Sequence, residues 1–444
     1  MPSLYHRRVQ HSVGQGLFHS ALIASDHGRE RFHYVYDCGS MGRYAPQRRA
    51  AISRFRESLG GDDLDALFVS HAHADHLNGV PELLDGLRVR TIVMPLLTAP
   101  ERLMAWARSY TADAAVRSDA AYAAWIADPV AAAAAYGPER IVAVAPGGGP
   151  VDDDPPGGPN WSGEPPVVEL PPAGLGDELS VVDRPSPGLP AWDLVGVGSV
   201  NGGRIEGDTA VYEIPDTLGI RPHVGATEVP WILAMHVAPE VHSAAERFLA
   251  AFANVLGCPL DWLSAWLDVT DVRRVIEDEP AALREAYKQV HRDINITSLS
   301  VYSGPSRALP PDLVTDARTF RGGEPARWQR FSDRRAGWIG TGDASLRNYS
   351  RRGAFLSHYD AFANQVLTMT LPHHGSRHNF SDELLTALAP RFCVAPAAAY
   401  GRWNHPHADV VRAVEYAGST LVNVSADDRS DFVECIRLSS RAVR

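Results

Sequence analysis

The stretch Ala66-Leu67-Phe68-Val69-Ser70-His71-Ala72-His73-Ala74-Asp75-His76-Leu77-Asn78-Gly79 decides how the chain reads. Its apolar first half has the length and side-chain type of a buried strand that ends at Ser70. The next six residues combine imidazole, small and carboxylate side chains. Alternate residues of an extended chain share a face, so His71 and His73 can reach one cation, while Asp75 and His76 follow where the chain turns. The segment can seat one ion or two. A two-metal hydrolytic site needs neutral imidazoles and a carboxylate converging on cations about 3.5–4 Å apart.

On both sides of this segment the pattern alternates strand and helix. Upstream, Ser20 to Ala24 and Phe32 to Tyr36 read as a hairpin leading to Asp37-Cys38-Gly39, and Pro46 to Leu59 has helical spacing. Downstream come a short helix, Gly79 to Leu87, and a strand, Val89 to Met94. Ala99 to Tyr136 is alanine-rich and predicts two or three helices; residues 147–176, rich in Pro, Gly and Asp, predict a long surface loop. Between 179 and 292 β-like pieces precede helices, and this region reads as an elaboration of one fold. The final third returns to β/α alternation, with Thr341-Gly342-Asp343, Leu371-Pro372-His373-His374-Gly375-Ser376 and Asn404-His405-Pro406-His407 each just past an apolar strand. An α/β scaffold displays its site at such strand ends.

Composition is that of ordinary globular material: 45% hydrophobic and 21% charged over 444 residues, enough for a large core. A net charge of −11 argues against bulk electrostatic attraction to nucleic acid or anionic membrane, although it allows a local basic patch. One such patch is Arg307 to Arg335, where Arg318, Arg321, Arg327, Arg330 and Arg334 are interleaved with Trp328 and Phe331. It can hold a polyanion by phosphate contact and base stacking, or be a solvated loop. The four cysteines lack paired spacing and read as reduced core residues. With no signal core and no run of about 18 apolar residues, the expected location is the cytoplasm, with no membrane partner.

The His-x-His-x-Asp-His pattern at 71–76 resembles the signature of the metallo-β-lactamase superfamily, without substitution. Within it the chain looks most like the hydrolase domain of competence proteins of the ComEC type, on Val13-Gly14-Gln15-Gly16, Asp37-Cys38-Gly39, the metal segment, Asn295 to Leu299, Thr341-Gly342-Asp343, His373 to Ser376 and the His405-Pro406 loop. The likeness leaves residues 100–290 and 305–335 uncovered. It implies an α/β fold, a four-layer αββα sandwich, built from 1–100 and 291–444 with a large, mainly helical insertion over 101–290. It also implies metal ligands His71, His73, Asp75, His76, Asp343 and His373, with Asp343 bridging two divalent ions. His374, beside His373, would point elsewhere on an extended chain and is assigned to substrate or supporting contact. Many superfamily members carry a further histidine where this chain has Asn295; an amide oxygen there makes Mn2+ a competitor of Zn2+. His236, at the end of the apolar Trp231–Met235 run, reads as a structural histidine in preference to a ligand.

The expected activity is metal-dependent hydrolysis of phosphodiester bonds, with a nucleic acid or another phosphodiester as substrate. Asp75, His374 and His405 are the candidate catalytic groups, His405 as proton donor to the leaving group. Asn295, Ser376, Arg327, Arg330 and Arg334 are candidate substrate contacts. Two other readings stand beside it: a hydrolase of a lactone, β-lactam or thioester, and a recognition component of a multiprotein, defence-type system that docks a protein partner through 101–290.

Overall fold

The strand Leu64–Phe68 divides its side chains between two cores: Leu67 packs beneath helices, whereas Ala66 and Phe68 face a second sheet. Its neighbours repeat the alternation, with Val35, Ile92 and Ile141 on the helix side and Tyr34, Tyr36, Val93 and Val142 on the other. Each large apolar side chain so buried contributes about 1.5–3 kcal/mol, and a one-residue slip would reverse every one of them, so burial sets the register.

The chain is described by a computed structural model over residues 4–25, 30–146, 161, 165–171, 191–224, 230–238, 242–269, 271–290, 297–310, 313–321, 327–331, 333–398 and 404–440. Among these residues one sheet has eleven strands, in the spatial order Arg327–Phe331, Leu313–Arg321, Phe432–Ser440, Leu4–Gln10, Phe18–Ser25, Arg31–Cys38, Leu64–Phe68, Val89–Pro95, Arg140–Ala145, Thr209–Pro215 and Asn201–Glu206. The other has nine: Thr420–Val424, Phe392–Pro396, Val366–Thr370, Gly337–Gly340, Leu299–Pro305, Trp231–Val237, Leu218–Pro222, Trp192–Gly196 and Val167–Val168. The inner faces meet through residues such as Phe68, Leu233, Trp338, Leu367 and Val394. Helices Tyr349–His358, Glu383–Leu388 and Ala408–Tyr416 cover the outer face of the second sheet, so the layers run αββα as the resemblance implies.

Region 101–290 is both helical and woven into the sandwich. Seven of the strands lie in it and widen both sheets, Arg140–Ala145 pairing in parallel with Val89–Pro95. Its helices Ala99–Ala112, His242–Leu256 and Pro280–Val290 pack over the first sheet's outer face through Leu103, Phe248, Phe252 and Leu283. The surface loop expected over 147–176 lies mostly outside the described residues, although Trp161 is buried and Val168 pairs with Leu194. The arginine-rich stretch after 307 is not a loop: Leu313–Arg321 and Arg327–Phe331 form an antiparallel edge hairpin. Among the described residues no single helix is long and apolar enough to cross a membrane.

Candidate metal centre

The two sheets converge on the segment after Leu64–Phe68, where the Leu299 amide donates to the Ser70 carbonyl at 2.7 Å. The approach is close enough to demand glycine. A Cβ on Gly342 would lie 2.4 Å from Ser298 Oγ and 3.0 Å from Ser70 Cβ, and Gly342 has φ +51°. A Cβ on Gly39 would lie 2.5–2.6 Å from the backbone of Asp75 and His76.

Asp37 orients the histidines from behind. It sits at the end of Arg31–Cys38 with φ 57°. Its carboxylate accepts from the Ser70 amide at 2.6 Å, from Ser70 Oγ, and from His76 Nδ1 at 2.7 Å. Because Ser70 gives its own proton to Asp37, its oxygen accepts from His71 Nδ1 at 2.8 Å. Both rings are thereby fixed with Nε2 facing the space between the sheets, an arrangement typical of metal-bound imidazole.

Asp343 faces them from the second sheet, and its two oxygens serve two groups. Oδ1 is 3.5 Å from His76 Nε2 and 3.7 Å from His374 Nε2, which is itself 3.8 Å from Asp75 Oδ2. Oδ2 is 3.5 Å from His71 Nε2, 3.6 Å from His73 Nδ1 and 3.7 Å from His373 Nε2. Donors about 2.1 Å from a tetrahedral cation stand about 3.4 Å apart, so these separations suit coordination through an ion. His76 Nε2, His374 Nε2 and Asp343 Oδ1 are buried and have no hydrogen-bond partner, which is the condition of atoms awaiting a ligand. The residues therefore fit a divalent cation among Asp75, His76, His374 and Asp343; His71, His73 and Asp343 form a second group, in which His71 Nε2 and His73 Nδ1 stand 2.7 Å apart and would have to open to about 3.4 Å to share an ion.

Charge follows the same arrangement. Burial alone would raise the Asp343 carboxyl, yet His373 and His71 hold it well below the usual carboxylate range. Burial would lower His76, but Asp37 and Asp343 outweigh it and raise the ring well above its ordinary value. Burial pushes His71, His73 and His373 down, which keeps lone pairs available for a metal.

The adjacent histidines differ from the sequence expectation. His373 and His374 both have left-handed backbone, with φ 46° and 58°, so the extended-chain premise that set His374 aside does not hold. His374 donates Nδ1–H to the Pro396 carbonyl at 2.9 Å and aims Nε2 at Asp75 and Asp343. His373 lies on the Oδ2 side, with Arg108 Nη2 2.9 Å from its Nε2. His405 is nearby, its ring 5.7 Å from that of His373, and burial together with His374 lowers it to about 4. Ser376 is buried and its Oγ accepts from the His378 amide at 3.3 Å.

Other expected contacts fall elsewhere. Asn295 lies outside the described residues. Arg327 begins the hairpin's outer strand, six places from Leu64–Phe68 in the sheet. Arg330 pairs with Asp316 at 3.0 Å, and Arg334 donates to the Leu309 and Pro310 carbonyls. Neighbouring strands are about 4.8 Å apart, so the hairpin's two strands, five and six places from Leu64–Phe68, lie about 24 and 29 Å away along the sheet. His236 points to the opposite face of its sheet, where Asp216 is 3.0 Å from its Nδ1.

Arg108 is the principal residue that sequence reasoning missed. Its Nη1 is 2.9 Å from His73 Nδ1, and its Nη2 is 3.5 Å from Asp343 Oδ2. The helix Ala99–Ala112 carries it there, begun by the Thr98/Glu101 capping box. Glu101 also accepts from Thr297 Oγ1, Ser109 Oγ accepts from the Ala74 amide at 3.1 Å, and Tyr122 donates to the Ala72 carbonyl at 2.8 Å. A signal existed: Arg108 is the one charged residue between Leu103 and Tyr110.

No curated protein matches the chain. Residues 19–205, which carry Asp37, the whole 71–76 segment and Arg108 but stop short of Asp343, His374 and His405, match the family model of the metallo-beta-lactamase superfamily.

Proposed function

We propose that this chain is a metal-dependent hydrolase of phosphodiesters, with nucleic acid as the polymeric form of that substrate. The observation that carries the reading is the division of Asp343: one oxygen faces Asp75, His76 and His374, the other His71 and His73, with the permanent charge of Arg108 alongside. Divalent cations, Zn2+ or Mn2+, held by these residues supply an activated water and neutralise phosphoryl charge.

The side chains around them do the positioning. Asp37 and Ser70 fix the orientation of His76 and His71. Arg108 presents N–H donors to a phosphoryl oxygen, the group that is anionic in this substrate class and neutral at a lactone or thioester carbonyl. His405, neutral at pH 7 in the free protein, is pushed back up by the negative charge of a bound phosphodiester. It can then take a proton on binding and pass it to the leaving oxygen. The competence-type motifs, Asn295 among them, point the same way.

The test is purified protein supplied with Zn2+ or Mn2+ and offered bis(p-nitrophenyl) phosphate, single- and double-stranded DNA, RNA, and a lactone and thioester panel. Cleavage of phosphodiesters that Asp343→Ala abolishes is expected. Turnover of the carbonyl panel alone would replace the reading.

A further inference from the structure

A second group of ligand-type side chains lies on the helix side of the nine-strand sheet. Asp216 stands in the turn between Thr209–Pro215 and Leu218–Pro222, His236 is near the end of Trp231–Val237, and His358 closes the helix Tyr349–His358. Along Trp231–Val237, Met235 faces the interior between the sheets while Ile232 and Ala234 face outward, and His236 shares their face. The group is therefore separate from the centre around Asp343.

All three residues are nearly inaccessible, at 4%, 5% and 4% exposure. Asp216 Oδ2 accepts from the Val237 amide at 3.0 Å and lies 3.0 Å from His236 Nδ1. The His236 and His358 rings are 4.7 Å apart, and each of the three residues offers a ligand atom within 4.8 Å of those of the other two. His358 donates one N–H to the Met235 carbonyl, which leaves Nε2 as its open nitrogen. Neither His236 Nε2 nor His358 Nε2 has a hydrogen-bond partner, and both rings lie near the aromatic side chain of Tyr359.

Unpartnered nitrogen alone does not make a site. His6 and His19 are buried with both ring nitrogens unpartnered, but they pack against Trp231 and Trp338 and join no metal-type group. Asp216, His236 and His358 differ by bringing a carboxylate and two imidazoles from three elements to one point, with the His358 ring oriented by the Met235 carbonyl. We propose that these three residues hold a zinc ion that is not part of the hydrolytic centre and that pins the helix Tyr349–His358 to the end of the second sheet. Two nitrogens and one carboxylate oxygen are a usual zinc donor set. The ion would take the place of the proton between Asp216 Oδ2 and His236 Nδ1, whose 3.0 Å separation needs to open to only about 3.4 Å, with His358 Nε2 as the second nitrogen. Burial together with His236 lowers His358 to about 3, so its lone pair is free at neutral pH.

The test isolates this site from the hydrolytic one and does not depend on the proposed activity. Full-length protein carrying His71→Ala, His76→Ala and His374→Ala is stripped with chelator, reloaded with Zn2+, desalted and assayed for bound metal. About one equivalent of zinc and a zinc-dependent rise in melting temperature are expected, and both disappear on adding His236→Gln and His358→Gln. A zinc-free triple variant, or equal zinc with and without the added changes, overturns the proposal. Should the combined variant fail to fold, His358→Gln in the otherwise unaltered protein is expected to lose about one equivalent while keeping its hydrolytic rate, and unchanged metal content refutes the site.

Discussion

The histidines at the sheet edge and those between the sheets are equally buried, yet they do opposite things. His71, His76 and His374 each have an oxygen acceptor on Nδ1, from Ser70, Asp37 and the Pro396 carbonyl, and turn Nε2 toward a carboxylate. His6 and His19 instead lie against aromatic rings, with Trp231 4.6 Å and Trp338 4.0 Å away between centroids. Burial holds both interior rings well below their ordinary value. A histidine becomes a candidate ligand when a second residue dictates its tautomer and a carboxylate awaits its lone pair; without these it is a flat core side chain.

The sharpest way to break this contrast is to remove the carboxylate. Asp343→Ala takes one ligand from both positions, so metal content should fall and phosphodiesterase kcat drop by about 10³-fold or more, read by elemental analysis and steady-state rates. Retained activity would mean that the histidines do not work through Asp343.

Exchanging the neighbours comes next. His374→Ala should lower metal affinity by about 100-fold, whereas His373→Ala should leave most of the metal in place, since only His374 meets Asp75. A larger loss for His373→Ala than for His374→Ala in a competition titration with a chelator would restore the extended-chain assignment.

Asp37→Asn keeps the ring of His76 in place but weakens its orienting bond, and a loss of about 10-fold in metal affinity is expected by the same titration. Arg108→Ala should raise KM for a phosphodiester by about 10-fold and leave the metal bound, while Arg330→Ala, on the edge hairpin, should change neither. A KM effect at Arg330 and none at Arg108 would return the substrate to the arginine-rich stretch.

The interior histidines carry the smallest effect. Their folded pKa values lie below the unfolded value of about 6.5, so the unfolded chain binds protons that the folded chain refuses. Their contribution to stability is complete above pH 6.5 and is lost as pH falls below it, by up to about 1.4 kcal/mol per pH unit for each ring. Urea unfolding between pH 7 and 5 should show this slope, and His19→Phe should reduce it without changing metal content. A stability independent of pH in this window would show that these rings are not held neutral.

Much of the molecule was legible from local pattern. The segment 71–76, the strand before it and the strand-end positions of Asp343, His374 and His405 follow from apolar runs that stop at polar residues, because a strand's hydrophobic content marks where it leaves the core. Asp37 was visible as a carboxylate at a strand end, but nothing local says that it meets Ser70 and His76, more than 30 residues away.

What the sequence determined by itself is the donor set: imidazoles and carboxylates in a spacing that an extended chain turns to one side. What only the tertiary structure decided is how that set is divided. The left-handed turn at His373-His374 aims the two rings at different carboxylate oxygens, His374 at Asp75 and Asp343 Oδ1 and His373 at Asp343 Oδ2, and the pairing of Leu313–Arg321 with Phe432–Ser440 carries the arginine hairpin to a sheet edge. The packing of Ala99–Ala112 against the metal loop brings in Arg108. The reason is physical: periodicity fixes which way a side chain leaves its own strand or helix, whereas the partner it meets depends on backbone turns and on contacts between residues far apart in the chain.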